Sequence, residues 1–243
     1  MLFAGAFIGG FVNGLAGFGT ALFALGFFLN VMPPIQAVAI ILLMSFISGL
    51  LGLWTVRHDI VPNMKPASYL IIPGLCGVPF GVYSLAYVDV DLLRLLVASL
   101  LLLYGGYFSF RARLPSLKGD RPIMDMIIGL IGGVLGGLAS LSGALPTMWF
   151  AMRDRNKHTM RTIIQSFNMS LFVLAIALFW WRGAYDDQQT VLYALMAVSI
   201  ALLAAKLGII VFGKLSDYQF RRLLVIMTFI SGIIMMARIL FAN

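Results

Sequence analysis

The sequence has few charged residues, and this scarcity excludes most soluble classes of protein. Only 11% of its 243 residues are charged, 61% are hydrophobic, and the mean hydropathy is +1.00. An ordinary soluble domain carries about 25% charged residues. The chain has too few polar side chains to cover a surface that faces water. Soluble enzymes, nucleic-acid-binding modules and disordered tails are therefore disfavoured, despite a net charge of +8.

Metal ligands and carboxylates are also scarce. The single cysteine, Cys76, excludes an intramolecular disulfide, and with only two histidines the chain lacks the ligands of a typical zinc site. Glutamate is absent, and no carboxylate lies in the interior of an apolar segment. Cation pumps and carboxylate-coupled symporters are therefore disfavoured. No intramembrane histidine or aspartate is available to activate a nucleophile. The sequence predicts neither an enzyme nor a cofactor.

The chain consists mainly of long apolar segments joined by short charged gaps. A membrane-spanning helix needs about 20 mostly apolar residues. Eight such segments lie at residues 2–29, 34–56, 67–88, 92–110, 124–150, 163–181, 191–212 and 223–241. The gaps are too short to fold as soluble domains. We therefore expect an all-α, multi-pass membrane protein that lies in the lipid bilayer and binds no nucleic acid. A homo-oligomer is left open.

The sequence contains an internal repeat. Residues 9–16 (GGFVNGLA) recur as residues 132–139 (GGVLGGLA), and residues 94–97 (RLLV) recur as residues 222–225. Two matches in the same order predict a duplicated unit of four apolar segments, with a first repeat at residues 1–115 and a second at 122–243. Chance similarity in a composition rich in glycine and leucine is the alternative. Repeats of this kind are frequent in transporters.

The distribution of charge indicates which segments cross the membrane. If all eight crossed, lysine and arginine would divide almost evenly, contrary to the positive-inside rule. If segment 124–150 enters and leaves on one side, only Arg94, Arg182 and Arg238 of the 17 basic residues lie outside. Segment 2–29 has glycines at the corresponding place. With both first segments re-entrant, or broken at these glycine-rich elements, each half has three crossings, which predicts two inverted-topology repeats.

The two breaks are the strongest candidates for a binding site. Backbone N–H groups at the start of a half-helix favour an anion, whereas close helix packing through small residues is the alternative interpretation. Asn13 precedes the first break and could donate a further hydrogen bond. The candidate residues at the breaks are Gly17, Gly19 and Thr20 in the first half, and Ser140, Ser142 and Gly143 in the second.

Three further polar residues lie within predicted spans. Gln165 and Asn168 are three positions apart, which places them on one helix face; interhelical hydrogen bonding is the alternative role. Lys206 is the one charge well inside a span. It could neutralise an anionic substrate or extend its amine towards the membrane surface. The basic run at 153–161 is predicted to be a loop that signals orientation.

The glycine-rich opening of each half, with Pro146 and Arg161-Thr162 following in the second, resembles the TauE/SafE family of sulfite and organosulfonate exporters. The resemblance extends over essentially the whole chain. It implies an inverted-repeat protein of a bacterial inner membrane that exports small sulfur-containing anions such as sulfite or sulfoacetate. A carrier for another small anion, such as a carboxylate, and a membrane subunit that transports nothing remain alternatives.

Overall fold

The computed structural model describes residues 1–29, 31–85, 119–153 and 155–241, together with Tyr87, Leu117 and several positions between 95 and 107. The predicted segment at 92–110 lies largely outside the described residues. A short 3-10 turn, Arg57–Asp59, separates two of the helices. The helices are α1 (Leu2–Ala16), α2 (Thr20–Phe28), α3 (Pro34–Thr55), α4 (Met64–Ser84), α5 (Pro122–Ala139), α6 (Ala144–Ala151), α7 (Lys157–Trp181), α8 (Gln188–Lys214) and α9 (Asp217–Phe241).

Five of these helices, α3, α4, α5, α7 and α8, are long and apolar enough to cross a bilayer. Large apolar side chains are exposed on their outer faces, for example Phe80, Leu195 and Trp180. A protein with such a surface would aggregate in water, whereas lipid tails solvate it. The chain is therefore a multi-pass helical membrane protein, as the hydropathy predicted.

Helices α1 and α2 form a hairpin, here called the first hairpin (residues 2–28). A Cβ added at Gly5 would lie 2.9 Å from Phe27 Cβ, and one at Gly9 would lie 3.0 Å from Ala24 Cβ. Positions later in α1 thus face positions earlier in α2, so the two helices run antiparallel. Because neither glycine carries a side chain, the backbones can approach closely along the whole pair.

Helices α5 and α6 form the second hairpin (residues 122–151). A Cβ at Gly136, near the end of α5, would lie 2.9 Å from Ser142 Cβ. At the other end, the Trp149 indole N–H donates to Asp125 Oδ1 over 2.6 Å. The last turn of α6 therefore lies beside the first turn of α5. The chain turns back between residues 139 and 144 and does not continue as one rod through residues 124–150.

Each hairpin packs tightly against a long helix that follows the other hairpin in the sequence. The first packs through α1 on α8, and the second packs through α5 on α4. A Cβ at Gly14 would overlap the Ala205 carbonyl oxygen, and a Cβ at Gly137 would overlap the Val78 carbonyl oxygen. Both interfaces therefore bring backbone against backbone, a packing that only glycine permits at these positions.

Helices α3 and α7 lie between the two hairpins and form the centre of the molecule. They pack on one another, α3 also packs on α8, and α7 also packs on α4. Both helices carry fully buried side chains, among them Ile40 and Ile41 on α3 and Phe167 on α7. Any polar group on the inner face of α7 is consequently enclosed by protein and must be satisfied there or by a ligand.

Candidate functional site

The candidate site lies at the tips of the two hairpins, where the helices break. In the first tip, Gly17 and Gly19 have φ values of 80° and 95°. In the second tip, Ser140 has a φ of 57° and is the one non-glycine with positive φ among the described residues. Left-handed backbone ends a helix and reverses the chain, and glycine adopts it without steric cost. Glycine therefore explains the first turn, whereas in the second turn a serine adopts the left-handed conformation.

A short helix begins at each tip with no side-chain cap. The N-cap residue of α2 is Gly19 and that of α6 is Gly143, and neither helix start receives a side-chain hydrogen bond. Thr20 and Ala144, the first residues of these helices, are both buried, with 3% exposed. The first N–H groups of a helix have no partner within the helix and carry partial positive charge. The start of α2 therefore presents N–H donors of the kind that favour an anion. At the start of α6 fewer donors remain, because the Ala144 N–H donates to the Leu141 carbonyl oxygen over 3.3 Å and Pro146 has no N–H.

Asn168 on α7 joins the two tips. Its Nδ2 donates to the Gly17 carbonyl oxygen over 3.0 Å, and its Oδ1 accepts from the Ser142 hydroxyl over 2.8 Å. The tips also touch directly, because a Cβ at Gly143 would lie 2.6 Å from Phe18 Cβ. One amide side chain thus contacts both hairpins, which come from opposite halves of the chain.

Gln165 lies one turn before Asn168 on the same face. Its Nε2 donates to the Gly49 carbonyl oxygen over 2.9 Å, whereas its Oε1 has no hydrogen-bond partner although the side chain is fully buried. Glycines surround it, since a Cβ at Gly17 would lie 2.6 Å from Oε1 and a Cβ at Gly52 would lie 3.1 Å from it. The glycines make room for the Gln165 side chain, and its buried Oε1, which has no partner among the described residues, is a candidate contact for a ligand.

The other predicted residues lie near the tips but contact different partners. Asn13 faces α3, where its Nδ2 donates to Ser48 Oγ over 2.7 Å and to the Ser45 carbonyl over 3.1 Å. Gly19 packs on α1, where a Cβ would lie 2.8 Å from Val12 Cγ1. Ser140 is buried and its hydroxyl has no partner. The structure therefore brings Gly17, Ser142, Gly143, Gln165 and Asn168 into one contiguous cluster, and adds Asn13 as a link from α1 to α3.

The comparison with known families identifies the chain. The family described as Sulfite exporter TauE/SafE matches residues 2–235. The chain belongs to the TauE/SafE sulfite exporter family. This confirms the resemblance drawn from the glycine-rich motifs, and it makes the protein a member of a family of membrane transporters for sulfur-related anions. No curated protein and no solved structure matches the chain.

Within this TauE/SafE protein, Lys206 does not join the cluster. It is exposed on the outer face of α8, on the same side as Leu203 and Leu207. In a bilayer this face contacts lipid, so the lysine amine would extend along the helix towards the membrane surface. The structure thus favours the second of the two roles considered for Lys206.

The basic run at 153–161 is not simply a solvated loop, which corrects the sequence interpretation. Arg153 and Arg161 are buried, with 1% and 0% exposed. Helix α7 begins at Lys157, six residues before the predicted apolar segment, and this places Arg161 within the helix. Arg161 donates to the carbonyl oxygens of Gly14, over 2.6 Å, and Leu15, over 3.3 Å. The spacing of Arg161, Gln165 and Asn168, all on one helix face, is the signal that could have found it.

Arg153 forms a second buried polar group at the base of the second hairpin. Its Nη2 contacts both carboxylate oxygens of Asp125, at 2.9 and 3.0 Å, and its Nη1 donates to the Gly119 carbonyl. Trp149 donates to the same carboxylate. Asp125 is thus a buried carboxylate in the first turn of α5, which the sequence analysis overlooked because the residue lies at the edge of its apolar segment. Here its charge is compensated by arginine, as buried carboxylates require.

Proposed function

We propose that this chain exports a small sulfur-containing anion, such as sulfite, sulfoacetate or a related organosulfonate, out of the cytoplasm by alternating access. The two hairpin tips meet at Asn168, and this observation carries the proposal. Two helices begin there without a side-chain cap, beside neutral hydrogen-bond donors that are buried in the protein. Helix N-termini and neutral hydrogen-bond donors bind oxyanions without needing a metal. Membership of the TauE/SafE family supports a sulfur-related anion as cargo.

We further propose that residues 1–115 and 122–243 are inverted repeats that rock against each other around this point. The contacts of the two halves support this interpretation. Gly208 packs against Phe11 and Leu15 of α1, while Gly81 packs against Val134 and Leu138 of α5. Residues 134 and 138 are the counterparts of 11 and 15, 123 positions later, and 208 follows 81 by 127. Corresponding residues thus make corresponding contacts, and such pairs of repeats are common in secondary transporters.

Export of this kind needs no coupling ion in our proposal. Moving one charge through 100 mV is worth about 2.3 kcal/mol, so a divalent anion leaving an inside-negative cell gains about twice as much. We therefore propose electrogenic uniport, with the membrane potential as the driving force.

The test is transport by the purified protein in liposomes. We expect sulfite flux that follows an imposed potassium diffusion potential and persists without a pH gradient. Asn168→Leu keeps the side-chain volume but leaves the Gly17 carbonyl and the Ser142 hydroxyl unpaired, so we expect transport to fall about tenfold. Ser170→Ala is the matched control, because Ser170 bonds only the Ser166 carbonyl of its own helix, and it should transport normally.

The other outcomes distinguish the remaining functions. Flux of acetate in place of sulfite would identify a carboxylate carrier. Absence of flux for both anions, together with no anion-dependent thermal stabilisation, would point to a membrane subunit that transports nothing. A requirement for a proton gradient at zero potential would disprove uniport while leaving sulfite as cargo.

A further inference from the structure

Arg161 differs from the other buried arginine, Arg153, in having no acidic partner. Arg153 is paired with Asp125, whereas none of the ion pairs among the described residues includes Arg161. Its guanidinium is fully buried and lies 4.1 Å from the centre of the Phe212 ring. A buried cation without a counter-ion is costly. Within the part of the chain that the structure describes, Arg161 thus faces only neutral groups, among them the Phe212 ring.

The contacts of Arg161 compensate this charge only in part. Two hydrogen bonds reach the carbonyl oxygens of Gly14 and Leu15, in the last turn of α1. The end of a helix carries about half a negative charge. A guanidinium has five N–H donors, and the Nε of Arg161 has no acceptor. Donor capacity and positive charge therefore remain for an anion.

Arg161 also lies on the face of α7 that contacts the hairpin tips. Arg161, Gln165 and Asn168 follow one face of α7, and all three are at most 1% exposed. A Cβ at Gly17 would lie 3.6 Å from Arg161 Cγ, and one at Gly52 would lie 3.2 Å from Arg161 Nη2. The two glycines thus leave room for the side chains of Arg161 and Gln165. A continuous polar face thus runs from the charge of Arg161 to the place where the tips meet.

We propose that Arg161 is the counter-charge for the transported anion, and that cargo and helix α1 exchange at its guanidinium. In the present state the carbonyl oxygens of Gly14 and Leu15 occupy the donors. When the first hairpin moves away from α7, two oxygen atoms of a sulfite or sulfonate group take their place. The planar fork of arginine matches two oxygens of one oxyanion. This inference rests on the proposed function and adds the residue that selects for negative charge.

The exchange explains how one arginine serves both loaded and empty states. With cargo bound, the anion neutralises the guanidinium. Without cargo, the carbonyl oxygens at the end of α1 compensate the guanidinium instead. The buried charge therefore keeps its hydrogen-bond acceptors while the empty carrier changes back to its first state. The first hairpin would therefore close on α7 only when its carbonyl oxygens replace the anion, which links cargo release to movement of the hairpin.

The experiment compares substitutions of Arg161 with a matched arginine elsewhere. Arg182 also donates to a carbonyl in the last turn of a helix, that of Val82 in α4, but it lies at the exposed end of the molecule. Arg182→Gln thus reports the cost of losing an arginine–carbonyl contact alone. Sulfite KM and kcat are measured in liposomes for the unsubstituted protein, Arg161→Gln, Arg161→Lys and Arg182→Gln, each checked for monodispersity.

We expect Arg161→Gln to raise the KM for sulfite about tenfold or more, as loss of a charge-assisted hydrogen bond predicts. Arg161→Lys keeps the charge but not the fork, so its KM should rise less, and that of Arg182→Gln should not change. An unchanged KM in Arg161→Gln would overturn the proposal. If Arg161→Gln does not fold, Arg161→Lys decides: a raised KM supports the proposal and an unchanged KM overturns it.

This design separates the inference from the proposed function. Sulfite transport by the unsubstituted protein with an unchanged KM in the Arg161 variants would overturn only the role of Arg161. Failure of the unsubstituted protein to transport sulfite would overturn the proposed function instead. A lowered kcat at constant KM would assign Arg161 to the packing of α1 on α7, and would also overturn its role as counter-charge.

Discussion

The two hairpins have similar shapes but are stabilised by different interactions. The first is held along its length by glycine contacts, such as Gly5 with Phe27 and Gly9 with Ala24. The second is held at its base by Asp125, which accepts hydrogen bonds from Trp149 and Arg153. At the positions 123 residues before Asp125 and Trp149, the first half carries leucine and glycine, so it has no such group.

This difference indicates how each hairpin should respond to change. Packing through glycine depends on the short distance between the two helix backbones. Each methyl group added at such a glycine forces the neighbouring atoms to shift. A buried ion pair depends on both partners, because removal of one leaves the other charge uncompensated. The base of the second hairpin also holds the preceding linker, through the bond from Arg153 to the Gly119 carbonyl. We therefore expect the second hairpin to be more sensitive to a single substitution at its base.

The largest effect is expected for Asp125→Ala. It leaves Arg153 buried and unpaired, which should lower the free energy of unfolding by about 3–5 kcal/mol. Chemical unfolding of the purified protein in detergent measures this loss. The double variant Asp125→Leu with Arg153→Met removes both charges and should recover most of it, since apolar replacements of buried ion pairs are often neutral. A double variant as unstable as the single one would show that charge pairing does not hold this base.

A smaller effect, equal in the two halves, is expected for Gly14→Ala and Gly137→Ala. Each new methyl group would overlap a carbonyl oxygen of the partner helix, in α8 or α4 respectively. Overpacking of this kind costs about 1–3 kcal/mol, measurable as a lower midpoint of thermal unfolding. Gly213→Ala, where no atom lies within 4 Å of the new group, should be neutral or slightly stabilising. A loss in only one of the two variants would show that the interfaces are not equivalent.

The smallest effect is expected for Asp120→Asn. Asp120 pairs with Arg155 over 2.7 Å near the same base, but its side chain is 78% exposed. Exposed ion pairs contribute about 0.2–1 kcal/mol, and salt weakens them further. Unfolding at low and high salt should therefore show a small loss that fades as salt increases. A loss as large as that of Asp125→Ala would contradict the distinction between buried and exposed pairs.

The helix breaks could be predicted from the sequence because a break depends on the backbone conformation of a few neighbouring residues. Gly17 and Gly19 adopt left-handed conformations that glycine favours, and the interruption was predicted at these positions. Ser140 adopts the same conformation without being glycine. The break in segment 124–150 was predicted from the distribution of charge and the small residues around Ser140, and the repeat then extended that prediction to segment 2–29. Gln165 and Asn168 were paired by their spacing, which holds for any α-helix.

The burial of Arg153 and Arg161 could not be predicted from the sequence in the same way. A basic run beside an apolar segment usually signals membrane orientation, and only its spacing from Gln165 and Asn168 set Arg161 apart from the half-exposed His158. Arg161, in the second turn of α7, is buried because α1 ends beside it, with two carbonyl oxygens that accept from its guanidinium. Likewise, Asp125 is buried because the second hairpin turns back and brings Trp149 and Arg153 to it.

The sequence by itself determined that this protein lies in a membrane, where its apolar segments are and where two of them break. It also determined the TauE/SafE family. These properties follow from composition and from the conformational freedom of single residues. Only the tertiary structure decided that Asn168 joins the two tips, that Arg161 faces inward and that Lys206 faces outward. The physical reason is that a membrane helix is apolar towards both lipid and protein, so its hydrophobic pattern does not mark the inner face.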